Sequence, residues 1–290
     1  HPILVKPKPN GKVRLCVDLR KLNEHIKRPY YPMKTPQNVV DRIPPRAKYF
    51  TKADASKGYF QLPLDEESQH LTTFMTNWGR YKFLRSPMGM ASSQDEYDKV
   101  TDEAIEGLDN VEKLRDDMIA ASQNREEHIY HVRQMLLRCR AAGITLSRSK
   151  FEFGRTSVKF IGYVLSENGI AADPKKISAI QQFPSPRNTT ELKSFLGMAN
   201  QLGGFTSAMS KACTPLRPLL RKTGSFIWSD EAERAFNEVK AVLASPEVLT
   251  SFDVSRKTRL LTDASRKHGL GFVLQQQYDE EWRLVQAGSR

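Results

Sequence analysis

Apolar and polar positions change period several times along this chain, and each change predicts an element. Residues 3–6 and 12–17 read as two strands around Pro9-Asn10-Gly11, because Asn-Gly suits the positive φ angles of a tight hairpin. The proline-rich passage from Pro29 to Pro45 predicts an extended connector. A strand over 47–53 ends at Asp54, and a short one over Tyr81 to Leu84 closes at Ser86-Pro87-Met88-Gly89. Ser93-Gln-Asp-Glu96 has capping-box spacing, which predicts a helix from about residue 94 to 107.

Val111 to Leu114 and Met118 to Ala121 flank Asp116 and Asp117 as a β-hairpin with acid at its tip. Ile129, Val132, Met135, Leu136 and Cys139 then recur at helical spacing, with Gly143 past the end, so a helix burying that face is expected. Val158 to Leu165 reads as a strand. From Pro174 the pattern is mainly helical, over 174–183, 189–202, 212–222 and 230–244, and it returns to strands at 259–263, 271–276 and 282–287. No internal repeat or low-complexity tract interrupts this order. The sum is an α+β body followed by the beginning of another domain.

At 290 residues the chain exceeds one ordinary core, so two or three subdomains are expected. Lys and Arg number 45 against 33 Asp and Glu, a net charge of +12 with pI about 9.6, and such a surface favours a polyanion. Hydrophobic residues at 39% and a mean hydropathy of -0.54 suit a soluble folded chain rather than a disordered one. No apolar run approaches the roughly 20 residues that span a bilayer and no signal peptide is visible, so no membrane partner is expected. Cys16, Cys139 and Cys213 are too scattered for a zinc site or disulfide scaffold and read as free thiols of a reducing compartment. Starting at His1-Pro2 without a methionine and stopping at Gly288-Ser-Arg290, the chain reads as a segment of a longer protein.

The acids sharpen the picture. Asp54, Asp116 and Asp117 each lie between short apolar or β-prone stretches, at strand ends or a hairpin tip. Three carboxylates gathered there suit two hard cations, and two metals suit an in-line phosphoryl displacement. In a basic chain this points to nucleotidyl transfer on a nucleic acid. The plain alternative is a solvated turn, where Asp is common.

Further motifs stand in order: Arg14-Leu-Cys-Val-Asp-Leu-Arg-Lys-Leu-Asn23, Lys52-Ala-Asp-Ala-Ser-Lys-Gly-Tyr-Phe-Gln61, Phe74-Met-Thr-Asn-Trp-Gly-Arg-Tyr81 and Pro87-Met-Gly89. After the paired aspartates come Gly143-Ile-Thr-Leu, Phe160-Ile-Gly-Tyr-Val, Asp173-Pro-Lys-Lys, Phe195-Leu-Gly and Thr262-Asp-Ala-Ser265. With these motifs the chain resembles the reverse transcriptase of gypsy-type LTR retrotransposon Pol polyproteins over essentially its full length. The resemblance implies a right-hand polymerase of fingers, palm and thumb, with a connection and a truncated ribonuclease H-like α/β start. Residues 1–165 would be interleaved fingers and palm, 166–255 a thumb-like region and connection, and 256–290 a partial ribonuclease H-like domain.

The activity it implies is an RNA-directed DNA polymerase, a nucleotidyltransferase that extends a primer on an RNA or DNA template with dNTPs. Two Mg2+ ions, with Mn2+ as a substitute, would be held by Asp54, Asp116 and Asp117. Tyr59, five positions after Asp54, resembles the aromatic gate that excludes a ribose 2′-hydroxyl; a plain core aromatic is the alternative. Arg14 matches a fingers arginine that contacts the triphosphate, with Lys6 or Lys8 as its companion. Gly89 matches the glycine of a turn beside the nucleotide, and Ser93 and Tyr97 positions near the templating base. Asp263 matches the first ribonuclease H carboxylate, but its partner acids would lie beyond Arg290, so no hydrolysis is expected. The rest of the polyprotein (protease, ribonuclease H, integrase) completes the implied partners, in the cytoplasm or a virus-like particle.

Departures from the family pattern leave rival readings open. Leu114 stands where the family has tyrosine, Arg115 adds a charge beside the acids, and Gly203-Gly204 replace two thumb-side arginines. An active polymerase, a decayed or repurposed copy that binds nucleic acid without polymerising, and a structural polymerase subunit all fit these facts. The intact acids favour the first.

Overall fold

The computed structural model describes residues 1–7, 11, 13–206, 208–220, 226–244, 248–265 and 269–289. Two units emerge, His1–Arg42 with Thr51–Arg155 and Ile43–Phe50 with Thr156–Arg290.

In the first unit, β1 (Ile3–Pro7) pairs antiparallel with β2 (Val13–Val17), setting Lys6 opposite Arg14; Lys8 and Asn10 lie outside the described residues. After α1 (Arg20–Asn23), the proline-rich passage is not extended throughout: it contains α2 (Pro36–Val40). Pro36 suits the first helical position, and Thr35 and Asn38 cap the helix reciprocally, at 3.2 Å and 3.0 Å. β3 (Tyr49–Asp54), of which Thr51–Asp54 belong to this unit, leads into a 3-10 turn at Gly58–Gln61 and then α3 (Glu66–Leu71). The strand expected over 81–84 lies earlier. β4 (Phe74–Thr76) pairs with β5 (Gly79–Tyr81) because Gly79, at φ 131°, turns the chain just after Trp78.

α4 (Ser93–Ile105) forms without the expected capping box. Its N-cap is Ser92, which makes no capping bond, while Ser93 Oγ is engaged with Ser86 Oγ at 2.6 Å and Pro87 O at 2.9 Å. The acidic hairpin is as expected, β6 (Val111–Leu114) against β7 (Asp117–Ser122). α5 (Arg125–Ala141) and β8 (Glu152–Arg155) complete the unit, and the sheet order is β6-β7-β3-β8. β7 is buried from Met118 to Ser122, and Met118 and Ala120 pack with Ala53, Val111, Val132, Met135 and Cys139. Burying each Val or Met there contributes about 1.5–3 kcal/mol.

The buried face of α5 differs from the expected one. It carries His128, Val132, Met135 and Cys139, whereas Ile129 and Leu136 remain 46% and 40% exposed. A histidine fits the core because Thr51 Oγ1 and Ser122 Oγ meet its two ring nitrogens at 2.6 Å and 3.2 Å. Burial pushes its pKa down to about 4, so it sits there neutral.

In the second unit, the single strand expected over Val158 to Leu165 is a hairpin, β9 (Ser157–Phe160) with β10 (Tyr163–Ser166). Ile161 and Gly162 turn it with φ 43° and 89°, as a two-residue hairpin turn requires, and β11 (Gly169–Ala172) adds a third strand. α6 (Pro174–Gln181) and α7 (Thr189–Gln201) follow the pattern. The helix expected over 212–222 becomes a short α8 (Met209–Cys213) and a 3-10 stretch, Thr214–Leu220, since Pro218 has no N–H for an α-helical bond; residues 221 and 222 lie outside the described residues. α9 (Asp230–Ala244) buries Phe236 against Phe195, ring centroids 4.5 Å apart. β12 (Thr258–Ser265), β13 (Gly269–Tyr278) and β14 (Glu281–Ser289) form an antiparallel meander. Among the described residues no helix is long and apolar enough to cross a membrane.

Candidate active site

The three acids meet where β3 ends beside the β6–β7 turn. Leu114 pairs with Asp117, leaving Arg115 and Asp116 as a two-residue tip, with Arg115 at φ 54°. Ala55 N donates to Asp116 O at 2.8 Å and ties the tip to the end of β3. The segment after α5 is stitched to the same place: Ser147 N donates to Asp54 O at 2.8 Å and Ser56 N to Thr145 O at 2.9 Å. Gln61 clamps this joint, its amide nitrogen donating to Ser56 O at 2.7 Å while its oxygen accepts from Thr145 N at 2.9 Å.

Electrostatically the cluster is short of positive charge. Asp116 Oδ1 is buried without a hydrogen-bond partner. Burial first, then Asp54 and Asp117, raise the Asp116 pKa above the ordinary carboxylate value. Burial also raises Asp117, opposed by Lys52, whose Nζ lies 3.9 Å from Asp117 Oδ1. Asp54 is held by Lys150, whose Nζ donates to both of its oxygens at 2.8 Å.

Among the described residues, no three metal-ligating side chains are arranged to hold an ion as they stand. The donors nevertheless suit magnesium. All are hard carboxylate oxygens, one is buried and unsatisfied, and a lysine ammonium already sits on another.

Aromatic side chains pack beside the acids. A Cβ on Gly58 would lie 2.8 Å from Tyr97 Cζ and 3.0 Å from Asp116 Oδ1, so only glycine fits there. Tyr59 meets Tyr97 edge-on, with centroids 5.7 Å apart, and its hydroxyl donates to Gln94 Oε1. Burial and the Asp116 charge raise the Tyr59 phenol pKa, against a lowering influence from Arg115.

The remaining expected residues are dispersed. Arg14 and Lys6 are exposed and face one another on the β1–β2 hairpin. Gly89, at φ 92°, is fixed by Asn23, whose Nδ2 donates to Gly89 O at 2.8 Å. Ser93 and Tyr97 are 2% and 1% exposed, so neither presents a surface to a templating base. Asp263 lies exposed on β12 opposite Gly271, within the second unit. Sequence reasoning missed Gly58, Gln61, Gln94 and Lys150. Gly58 and Gln61 lie inside the quoted Lys52–Gln61 motif and were findable there; nothing local singles out Gln94 or Lys150.

Comparisons with known proteins bear on the family and the fold. Residues 6–165 match the family described as reverse transcriptase (RNA-dependent DNA polymerase), and residues 228–290 match an RNase H-like domain found in reverse transcriptase. The Transposon Tf2-3 polyprotein of Schizosaccharomyces pombe is 31% identical over 284 residues, 97% of this chain and 21% of the polyprotein. The Tf2-7 polyprotein of the same organism is 30% identical over 282 residues, again 97% of this chain and 21% of the polyprotein. The chain thus spans about a fifth of the length of these relatives. Two solved structures share the fold, both at 22% identity and covering 100% of this chain. A foamy viral protease-reverse transcriptase dRH in complex with dsDNA superposes with TM-score 0.88 over 51% of its own chain, and the same kind of protein with an RNA/DNA hybrid with 0.82 over 39%.

Proposed function

The chain belongs to the reverse transcriptase (RNA-dependent DNA polymerase) family, and we propose that it extends a primer on an RNA or DNA template with dNTPs. The observation that carries this reading is the buried, unpartnered Asp116 Oδ1 between Asp54 and Asp117. In a chain of net charge +12, uncompensated acid at one point is what divalent cations would neutralise. Asp54, Asp116 and Asp117 are the residues that would hold two Mg2+ ions, with Mn2+ as a substitute. Bound there, the ions would supply an activated primer 3′-hydroxyl and charge neutralisation at the triphosphate.

The chain's own contribution is positioning. The joint of β3 with the hairpin holds the carboxylates in place, and Lys150 keeps Asp54 charge-balanced before a cation arrives. Tyr59 would stand against the sugar, Gly89 would let backbone approach the nucleotide, and Arg14 with Lys6 would grip phosphate oxygens. We assign residues 1–165 to fingers and palm, 166–255 to thumb and connection, and 256–290 to the start of a ribonuclease H-like domain, although the family match to that domain reaches back to residue 228. A template-primer duplex parallels the nucleic acids held by the foamy viral proteins. A polyprotein carrying protease, ribonuclease H and integrase, in an intracellular virus-like particle, is the setting that accompanies this reading.

Arg115 favours a second reading, in which the chain binds nucleic acid without polymerising, because it places an exposed cation on the catalytic hairpin. Primer extension on an RNA template with Mg2+ separates the two. Asp54→Asn and Asp116→Asn should each lose about a thousandfold or more in rate, while template-primer affinity, resting on phosphate contacts, persists. Near-parental extension by either variant refutes the mechanism. Binding without extension by the parent chain establishes the second reading.

A further inference from the structure

We propose that Gln94, Asp98 and Lys113 position Tyr59, and thereby set the discrimination between deoxyribonucleotide and ribonucleotide. The inference rests on the reading of Tyr59 as the sugar gate. A gate of this kind works by collision with a 2′-hydroxyl, and it works only while its ring cannot swing aside.

Two anchors hold the ring. One is the edge-on contact with Tyr97. The other is a directed chain of hydrogen bonds. Tyr59 donates to Gln94 Oε1, Gln94 Nε2 donates to Asp98 Oδ2 at 2.7 Å, and Lys113 Nζ donates to Asp98 Oδ1 at 3.1 Å. Gln94 and Asp98 stand one turn apart on α4, and Lys113 lies on β6, the strand that enters the acidic hairpin. Asp102 Oδ1 assists from 3.6 Å.

The polarity of the chain follows from its buried end. Lys113 Nζ stands 3.1 Å from Asp98 Oδ1 with the two side chains 3% and 7% exposed, so the chain of hydrogen bonds ends in an ion pair inside the protein rather than at its surface. An ionised carboxylate only accepts, so the amide must turn its NH2 towards Asp98. Its carbonyl then faces Tyr59, and the phenol must donate. A buried ion pair is weak evidence for stability, and a role in fixing one conformation is a better account of this one.

Single-nucleotide incorporation with a dNTP and the NTP of the same base tests the proposal. Tyr59→Val should raise the ribonucleotide-to-deoxyribonucleotide ratio of kcat/KM most. Tyr59→Phe and Gln94→Ala should each raise it by roughly threefold to tenfold, the worth of one hydrogen bond, and the double variant no further. Gln94→Glu, which sets two carboxylates face to face, should also raise it. Adding Asp98→Asn should reverse that rise, because the new amide can donate to the new carboxylate. An unchanged ratio in Tyr59→Val overturns the gate itself. A ratio moved by Tyr59→Val but not by Gln94→Ala, or additive effects in the double variant, overturns the positioning alone. A crystal structure of the Gln94→Ala chain gives a readout independent of turnover: a displaced Tyr59 ring supports the proposal, and one unmoved against Tyr97 refutes it.

Discussion

Gly58→Ala should damage the site, although alanine is ordinarily the better residue in a helical turn. At an unstrained position the change stabilises by about 0.4–1 kcal/mol. Here the new Cβ would lie 2.8 Å from Tyr97 Cζ and 3.0 Å from Asp116 Oδ1. Carbon atoms rest about 3.5–4.0 Å apart, so the ring has to retreat by about 0.7 Å or more. It has little room, being 1% exposed and set edge-on against Tyr59, and Asp116 sits on a turn tied to Ala55. Overpacking of this sort costs about 1–3 kcal/mol, which exceeds or matches the gain in chain entropy. Displacing a catalytic carboxylate by something near 1 Å costs about a hundredfold in rate. Calorimetric melting combined with single-turnover primer extension reads both effects. Tyr97→Leu, placed in the Gly58→Ala chain, removes the opposing ring and should return part of the stability. If Gly58→Ala melts no lower than the parent and extends at the parental rate, Gly58, Tyr97 and Asp116 are not packed as described.

Asp116 is protonated more readily in the folded chain than in the unfolded one, so its contribution to stability falls as pH rises through its raised pKa and recovers as pH falls. Asp116→Asn should therefore raise the melting temperature of the metal-free chain at neutral pH, with the gain shrinking in acid or on adding Mg2+; a loss of stability at neutral pH contradicts the charge argument. Lys150→Met should tighten Mn2+ binding, followed by electron paramagnetic resonance, because Asp54 no longer exchanges an ammonium for the metal. The lysine side chain is 62% exposed, so its pair with Asp54 is worth at most about 1 kcal/mol, or about fivefold in affinity, and weaker binding by the variant rules out competition. Template-primer affinity should fall linearly with salt on a log-log scale, by about 0.9 per phosphate contacted. A Cβ on Gly204 would meet nothing within 4 Å, so Gly204→Arg should be tolerated and steepen the slope by about one unit if that position faces phosphates; an unchanged slope removes it from the interface.

What lay in the sequence by itself was whatever depends on neighbours a few residues away. The β6–β7 hairpin, α9 and the meander from β12 to β14 follow from period and turn chemistry, and all stand where the pattern placed them. That Asp54, Asp116 and Asp117 come together was legible too, because each stands at a strand end or hairpin tip. Local rules failed where a distant group competed. Ser93 matched a capping pattern, yet its hydroxyl went to Ser86 and Pro87. Ile129 and Leu136 matched an apolar stripe, yet His128 took the buried face because Thr51 and Ser122 satisfied its ring.

The working parts of the site were decided in three dimensions. Gly58 is required by a ring and a carboxylate that approach from α4 and the hairpin tip. Lys150 meets Asp54 across 96 residues of chain, and Lys113 meets Asp98 from a different element. Such partners carry no periodic signature, since charge and shape select them only after sheet order and helix packing have brought them within a few ångströms. Periodicity records which face of an element is buried, and only the packed structure records what that face is buried against.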